Sequence, residues 1–315
     1  MTAASTTPPT PASPPNRSTT TTAGAAGTSR PSPVARTREV WRYRELLVNL
    51  VRKELKVKYK NSALGFVWSL LNPALYLGVF YVVFQVVLKT GIPDFAIFLL
   101  AGLLPWNLFS ASLGAATQSI VGNAPLVNKV WFPREILPLA AIGAALVHFV
   151  LQAAVLMVAM AGFRHAPSLA HLPVVVLALV VLVVLGAALG IALSAVNVYL
   201  RDTSHLLELG LLAWFWVTPI VYQYRLVGDR IGEWALINPV TPIVLAFQRG
   251  LFNRVDGAGG SDRLGEAAQS SGILPDESVL WYLRNVAVLG LVSVALLLGA
   301  LWLFGRLEDD FAEEL

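Results

Sequence analysis

The sequence predicts an all-α polytopic membrane protein: six transmembrane helices, an N-terminal amphipathic interfacial helix, and a re-entrant helical segment before the last span. Two observations carry this. The 315-residue chain is 56% hydrophobic and 13% charged, with a mean hydropathy of +0.65, against roughly 45–50% and about 25% in a soluble domain. The apolar residues also gather in runs free of Asp, Glu, Lys and Arg, at 61–88, 95–128, 136–163, 165–200, 209–224 and 285–305. Most of these exceed the ~20 residues that cross a bilayer as a helix.

Taken in order, residues 1–35 are Thr, Ala, Pro, Ser and Gly with almost no large apolar side chains, so burial cannot offset their ordering entropy and a disordered tail is expected. Residues 36–61 form the amphipathic helix. At 100° per residue Arg42, Arg52, Lys53, Lys56 and Lys60 share one side, and Tyr43, Leu46, Leu47, Leu50, Val51 and Val57 the other. A basic amphipathic helix of this kind lies in the membrane interface.

The membrane domain then occupies 62–306. Spans are expected at about 65–88, 95–120, 136–162, 173–199, 206–224 (interrupted by Pro219) and 281–305, with an acidic tail at 307–315. Residues 225–280 hold only two short apolar pieces, Trp234–Ile237 and Val240–Phe252, broken by Asn238-Pro239 and Pro242. Pieces too short to span are re-entrant or interfacial. The segment 229–253 therefore reads as dipping into the outer leaflet, an external hairpin being the alternative, and 256–272 reads as an outer loop.

Charge position gives orientation. Residues 1–60 hold 11 Lys/Arg and 3 acids, the remaining 255 residues 12 and 16. With the N-terminus inside, cytoplasmic segments carry thirteen Lys/Arg and the two short outer loops one each, which fits six spans with both termini in the cytoplasm.

Several chemistries are excluded. Zero Cys removes disulfides and thiolate catalysis. No Walker A loop, His-Glu-x-x-His or Gly-x-Ser-x-Gly pattern occurs; His165 and His171 share a loop but make a poor metal pair. No metal, catalytic residue or cofactor is assigned to this chain. Ion-coupled carriers keep acids or arginines within the membrane, and the spans here lack them except for Glu208 at the edge of the fifth and Arg284 near the start of the last. A separate ATPase is the expected energy source, with ATP and Mg bound by that partner.

Trp41, Trp68, Trp131, Trp281 and Trp302 sit at span ends, as an aromatic belt requires. Trp106, Trp214 and Trp216 do not. With Phe109 they are candidates for a substrate path on which sugar faces slide, or for ordinary packing between helices. Gly186, Gly190 and Ser194 recur every four residues, the small-residue spacing of close helix packing; it serves the bundle or a dimer seam.

Four motifs in order, Leu64–Pro73 (LGFVWSLLNP), Asn128–Pro138 (NKVWFPREILP), Asn197–Asp202 (NVYLRD) and Asn238–Pro242 (NPVTP), resemble the transmembrane subunit of ABC-2-type polysaccharide exporters, which move O-antigen, teichoic acid or galactan. The resemblance spans about residues 38–306. It implies a coupling loop at 121–134 that docks on the ATPase, with Asn128, Lys129, Phe132, Pro133 and Arg134 at the contact. It also implies an outer gate at 229–253 carrying Asn238, Pro239, Pro242, Phe247 and Arg249. Two copies with two ATP-binding subunits would pass a polyprenyl-pyrophosphate-linked glycan between them, at the inner (cytoplasmic) membrane. Arg42, Arg52, Lys53, Lys56 and Lys60 suit attraction of that pyrophosphate, and suit anchoring to anionic lipid equally well. Arg outnumbers Lys 17 to 6, as in GC-rich actinobacteria, where a cell-wall galactan is the expected cargo. The alternative is an ABC-2 permease for a smaller lipid or drug; a non-transporting scaffold would need no re-entrant segment.

Overall fold

The computed structural model describes residues 41–59, 71, 75, 78–87, 94–162, 164–224, 227, 228, 230, 232–252 and 274–315. The tail at 1–35, most of the first expected span with its Leu64–Pro73 motif, Lys60, and the loop at 256–272 lie outside them. Every regular element among the described residues is helical. In chain order they are α1 (Arg44–Tyr59), α2 (Phe95–Gly122), α3 (Ala124–Val127), α4 (Ile136–Gly162), α5 (Leu172–Tyr199), α6 (Thr203–Val217), α7 (Val240–Leu251), α8 (Val279–Leu307) and α9 (Phe311–Glu314), with a π-helical turn at Val82–Val87 and 3-10 turns at Gly232–Ile237 and Glu308–Asp310.

Four of these, α2, α4, α5 and α8, are long and apolar enough to cross a membrane. At 27–29 residues each they run about 40–44 Å. The fifth expected span is not one helix. α6 has only 15 residues, about 22 Å, and Thr218 leaves it in an extended conformation (φ −94°, ψ 132°). The cause is Pro219: its ring bars the residue before it from helical geometry and removes one backbone donor. Residues 218–224 continue the apolar run as non-helical chain.

Hydrogen bonds define the two ends of the bundle. At one end the start of α2 meets the end of α4 through Asp94 and His165, 3.6 Å apart, and the Tyr282 hydroxyl of α8 donates to the Pro275 carbonyl, 2.8 Å. At the other end the Tyr199 hydroxyl of α5 donates to the Leu307 carbonyl, 2.7 Å, and Lys53 of α1 donates to Asn123 after α2.

The middle is built on α2 and α5. Their backbones approach because small residues face each other: a Cβ on Gly190 would stand 2.8 Å from the Ala116 Cβ, and one on Gly186 3.8 Å from that of Ser112. The four-residue spacing of small residues thus serves contacts within the bundle. Asn197 adds a side-chain bond to the Thr117 carbonyl, 3.0 Å. α7 packs against α2, α5 and α8, and all twelve of its residues are buried.

α1 lies on α4 at the Tyr199 end. Leu50 joins an apolar cluster with Val127, Phe132, Ile136 and Phe304, and Tyr43, Leu46, Leu47 and Val51 pack around it. The expected apolar stripe is there except for Val57, which is exposed because it falls one turn beyond the surface the stripe covers. The last residues are not a loose acidic tail: the Phe311 side chain is fully buried on Phe304 and Tyr199.

Candidate functional site

Three regions gather the residues singled out from sequence. The first lies half-way along the bundle, where α6 ends against α2. Pro105 sits inside α2, and the turn around it presents Trp106 and Phe109 to α6. Trp106 and Phe109 are 6.0 Å apart by ring centroids. Trp106 meets Phe215 edge-on at 5.6 Å, and Phe109 meets Trp214 at 5.2 Å. Edge-to-face geometry at such separations is the favourable arrangement of aromatic pairs. Trp106 and Phe109 are buried, with their rings packed against Phe215 and Trp214. Trp214 is half-buried, and Trp216, with 53% of its surface exposed, points away from the bundle.

This aromatic layer is tied to the start of α7 by one residue. Asn238 Oδ1 accepts from Trp214 Nε1 at 2.8 Å and from the Val240 backbone N–H at 3.1 Å. Its Nδ2 donates to Thr218 Oγ1 at 2.9 Å, and that hydroxyl donates to the Trp214 carbonyl at 2.9 Å. Asn238 therefore caps α7, closes the break after α6, and holds an indole, all with one amide. Pro239 and Pro242 suit the first turn, whose N–H groups have no intrahelical acceptor; Pro242 is buried.

The second region is α7 and the bundle end it reaches. Gln248 Nε2 donates to the Ile220 carbonyl, 3.2 Å, satisfying part of the non-helical stretch. A Cβ on Gly102 would stand 2.8 Å from that Nε2, so α2 gives way there to admit α7. Phe247 is buried edge-on against Phe149, 6.1 Å. Arg249 is buried, with Nη2 3.5 Å from an exposed Asp276 carboxylate. His165 donates from Nε2 to the Leu251 carbonyl, 3.1 Å, and His171 shares a 2.9 Å hydrogen bond with Ser168. His165 and the Ser168 backbone N–H, which donates to the Gly250 carbonyl at 2.9 Å, thus fasten the loop before α5 to the end of α7, while His171 braces the loop itself; among the described residues no group of three potential metal ligands exists.

The third region is the loop from α2 to α4. The short α3 turns the chain, Val127 and Phe132 plant their side chains in the apolar cluster at the Tyr199 end, and the stretch between them is lifted out. Asn128, Lys129, Val130 and Trp131 are exposed, Trp131 by 78%. Pro133 and Arg134 are half-buried. Arg134 does not project with Lys129: it donates to the Glu308 carbonyl and lies 5.7 Å over the Phe311 ring. Of the basic residues expected on the amphipathic helix, Arg42 just before α1 and Arg52, Lys53 and Lys56 on it are exposed, and Lys53 bridges to Asn123 at the start of this loop.

Sequence reading missed Thr218 and Phe215, whose partners lie on other elements, and Phe311. For Phe311 a signal existed: one aromatic inside Glu308–Leu315 (EDDFAEEL) has a reason to be there only if something buries it.

Comparisons with known proteins agree on one family. The ABC-2 type transporter family pattern matches residues 45–252, a range containing the aromatic layer, α7 and the exposed loop. The chain is 32% identical over 282 residues to the O-antigen export system permease protein RfbA of Myxococcus xanthus, covering 88% of this chain and 98% of that protein. It is 32% identical over 208 residues to the protein of the same name from Klebsiella pneumoniae, covering 66% and 80%. The polysialic acid transport protein KpsM of Escherichia coli is 25% identical over 203 residues, covering 62% and 76%. These relatives are transporter subunits and not enzymes. With a family match over well over half its length and a relative aligned almost end to end, this chain is a multi-pass membrane protein of the ABC-2 type transporter family.

Proposed function

We propose that this chain is the permease subunit of an ATP-driven exporter that moves a lipid-linked polysaccharide, a galactan or an O-antigen-like chain, across the cytoplasmic membrane, with energy from a separate ATPase. The carrying observation is the near end-to-end similarity to an O-antigen export permease, 98% of that protein's length. The geometry supports it. The long helices α2, α4 and α5 carry no Asp, Glu, Lys or Arg, so the driving force is placed at an end, and the exposed Asn128–Trp131 loop is a surface on which a cytoplasmic ATPase can push.

In this reading the Tyr199 end is cytoplasmic and the His165 end is outside. The partly described run at 65–88 is the first span, and α6 with its extended continuation is the fifth, giving six spans with both termini inside. α7 starts half-way along the bundle and climbs to the outer end, as an outer-gate element does. Two copies with two ATPase subunits complete the transporter. The exposed Arg42 just before α1, and Arg52 and Lys56 of α1, face the headgroup layer where a polyprenyl pyrophosphate would arrive.

The test is reconstitution of the chain with its ATPase in lipid vesicles, measuring ATP hydrolysis against added lipid-linked glycan. Stimulation by glycan is expected. Stimulation by small amphiphiles with none by any glycan would overturn the polysaccharide assignment and favour a smaller lipid or drug cargo.

A further inference from the structure

We infer that the C-terminal segment Glu308–Leu315 is a positioning hook for the exposed loop Asn128–Trp131, acting through one buried ring and one arginine. The inference rests on the reading of that loop as the ATPase-docking surface. Its local part, that the segment fixes the loop's posture, stands on geometry alone.

The segment stays helical and packed. A 3-10 turn at Glu308–Asp310 carries α8 on into the short α9, where Phe311 enters the base of the bundle. The ring meets Phe304 edge-on at 5.4 Å and Tyr199 at 6.0 Å, and it is fully buried. The turn is held at its start by the Tyr199 hydroxyl on the Leu307 carbonyl, 2.7 Å. Phe311 shares its apolar cluster with Val127 and Phe132, the two residues from which the exposed loop is suspended. Arg134 then links the same ring to the loop's far side, by its place over Phe311 and by its bond to the Glu308 carbonyl. The loop's near side is held by Lys53 through Asn123, and Asn123 bonds back to the Ser119 carbonyl, 2.8 Å. The tip, 128–131, is left to solvent.

A loop of this kind, with little apolar contact of its own, keeps one posture only as long as its anchors hold. Two of the three anchors belong to elements already packed in the bundle. The third, Phe311, is four residues from the end of the chain, and its removal leaves Arg134 with neither ring nor fixed carbonyl. The ring, not the acidic charge, is therefore the functional part of the segment.

The chain has no cysteine, so Lys129→Cys gives a single site for a nitroxide spin label in the full-length protein. In membranes, without the ATPase, Phe311→Ala is expected to make that label markedly more mobile. Arg134→Met keeps length at a half-buried position and is expected to do the same, which covers the case of Phe311→Ala failing to insert. Glu313→Gln and Glu314→Gln, at exposed carboxylates, are expected to leave the spectrum as it was. With the ATPase present, Phe311→Ala is expected to raise ATP consumed per glycan exported by about twofold to thirtyfold, the range by which residues outside a binding site alter coupling. An unchanged label in both Phe311→Ala and Arg134→Met overturns the hook and leaves the docking reading standing. A loosened label with unchanged coupling overturns the assignment of the loop as the ATPase contact. Loosening by the glutamine variants but not by Phe311→Ala makes the segment an electrostatic brace and overturns the ring's role.

Discussion

Asn238→Ala is the substitution whose cost follows most directly from the geometry. The amide makes three bonds: it accepts from Trp214 Nε1 and the Val240 N–H, and donates to Thr218 Oγ1. Thr218 loses little, because its hydroxyl still donates to the Trp214 carbonyl. The other two partners are donors left with no acceptor, and Val240 is fully buried. An orphaned buried donor costs about 1–3 kcal/mol. Bonds between membrane helices average about 0.6 kcal/mol with a maximum near 1.7 in double-mutant cycles, which pulls the figure to the lower half of that range. Two such donors give a loss of about 2–4 kcal/mol. The measurement is reversible unfolding in mixed micelles, followed by near-ultraviolet circular dichroism, since Trp214 sits in the network. Trp214→Phe removes one of the two donors, so the pair of substitutions should be non-additive by about 1 kcal/mol. Full additivity, or a loss below about 0.5 kcal/mol of the kind surface changes give, would refute the claim that Asn238 joins α6, α7 and the extended stretch.

Two further outcomes follow from packing and exposure. Gly190→Ala places a Cβ 2.8 Å from that of Ala116 and should destabilise the bundle by about 1–3 kcal/mol, as overpacking does, with Ala116→Gly in the same chain recovering part of the loss in the same unfolding assay. Lys129→Glu, at an exposed loop tip, should leave membrane insertion and thermal stability unchanged while export in vesicles falls; export at the parent rate would mean that this lysine does not touch the ATPase.

What sequence could reveal was whatever repeats at a local period. The stripe Tyr43, Leu46, Leu47, Leu50 and Val51 was readable because a 3.6-residue spacing places these side chains together whatever they meet, and they do pack at one bundle end. Val57 fits the same spacing yet is exposed, since periodicity names a face without saying how far its neighbour extends. Gly186 and Gly190 could be recognised as a close-packing stripe, but the choice between bundle and dimer needed Ala116 and Ser112, more than seventy positions earlier, to be seen opposite them. Asn238 was legible as the start of a break in an apolar run, before Pro239; its hold on Trp214 and Thr218, 24 and 20 positions away, was not. The resemblance places Arg134 with Lys129 at one contact, whereas the fold turns Lys129 outward and Arg134 in against Phe311.

Five polar side chains inside the bundle share one chemistry, and it constrains how the protein can work. Ser119, Ser194 and Ser293 donate to carbonyls three or four residues back in their own helices, and Asn197 and Gln248 donate to carbonyls of neighbouring segments. These are neutral bonds to backbone, the kind that fix helix position in a medium without water. They offer no group whose charge changes as cargo passes, and α2, α4 and α5 contain no Asp, Glu, Lys or Arg. The one imidazole in those helices is His148 of α4. What they can transmit is displacement: α2 carries the exposed loop at one end, meets α6 through Trp106 and Phe109 half-way, and admits α7 at Gly102. Pro105, three residues beyond Gly102, removes one of its backbone hydrogen bonds. A push at Asn128–Trp131 thus reaches the buried helix α7 along a rod whose compliant point lies beside that helix, which is why the posture of the loop, and the ring of Phe311 that sets it, bear on export.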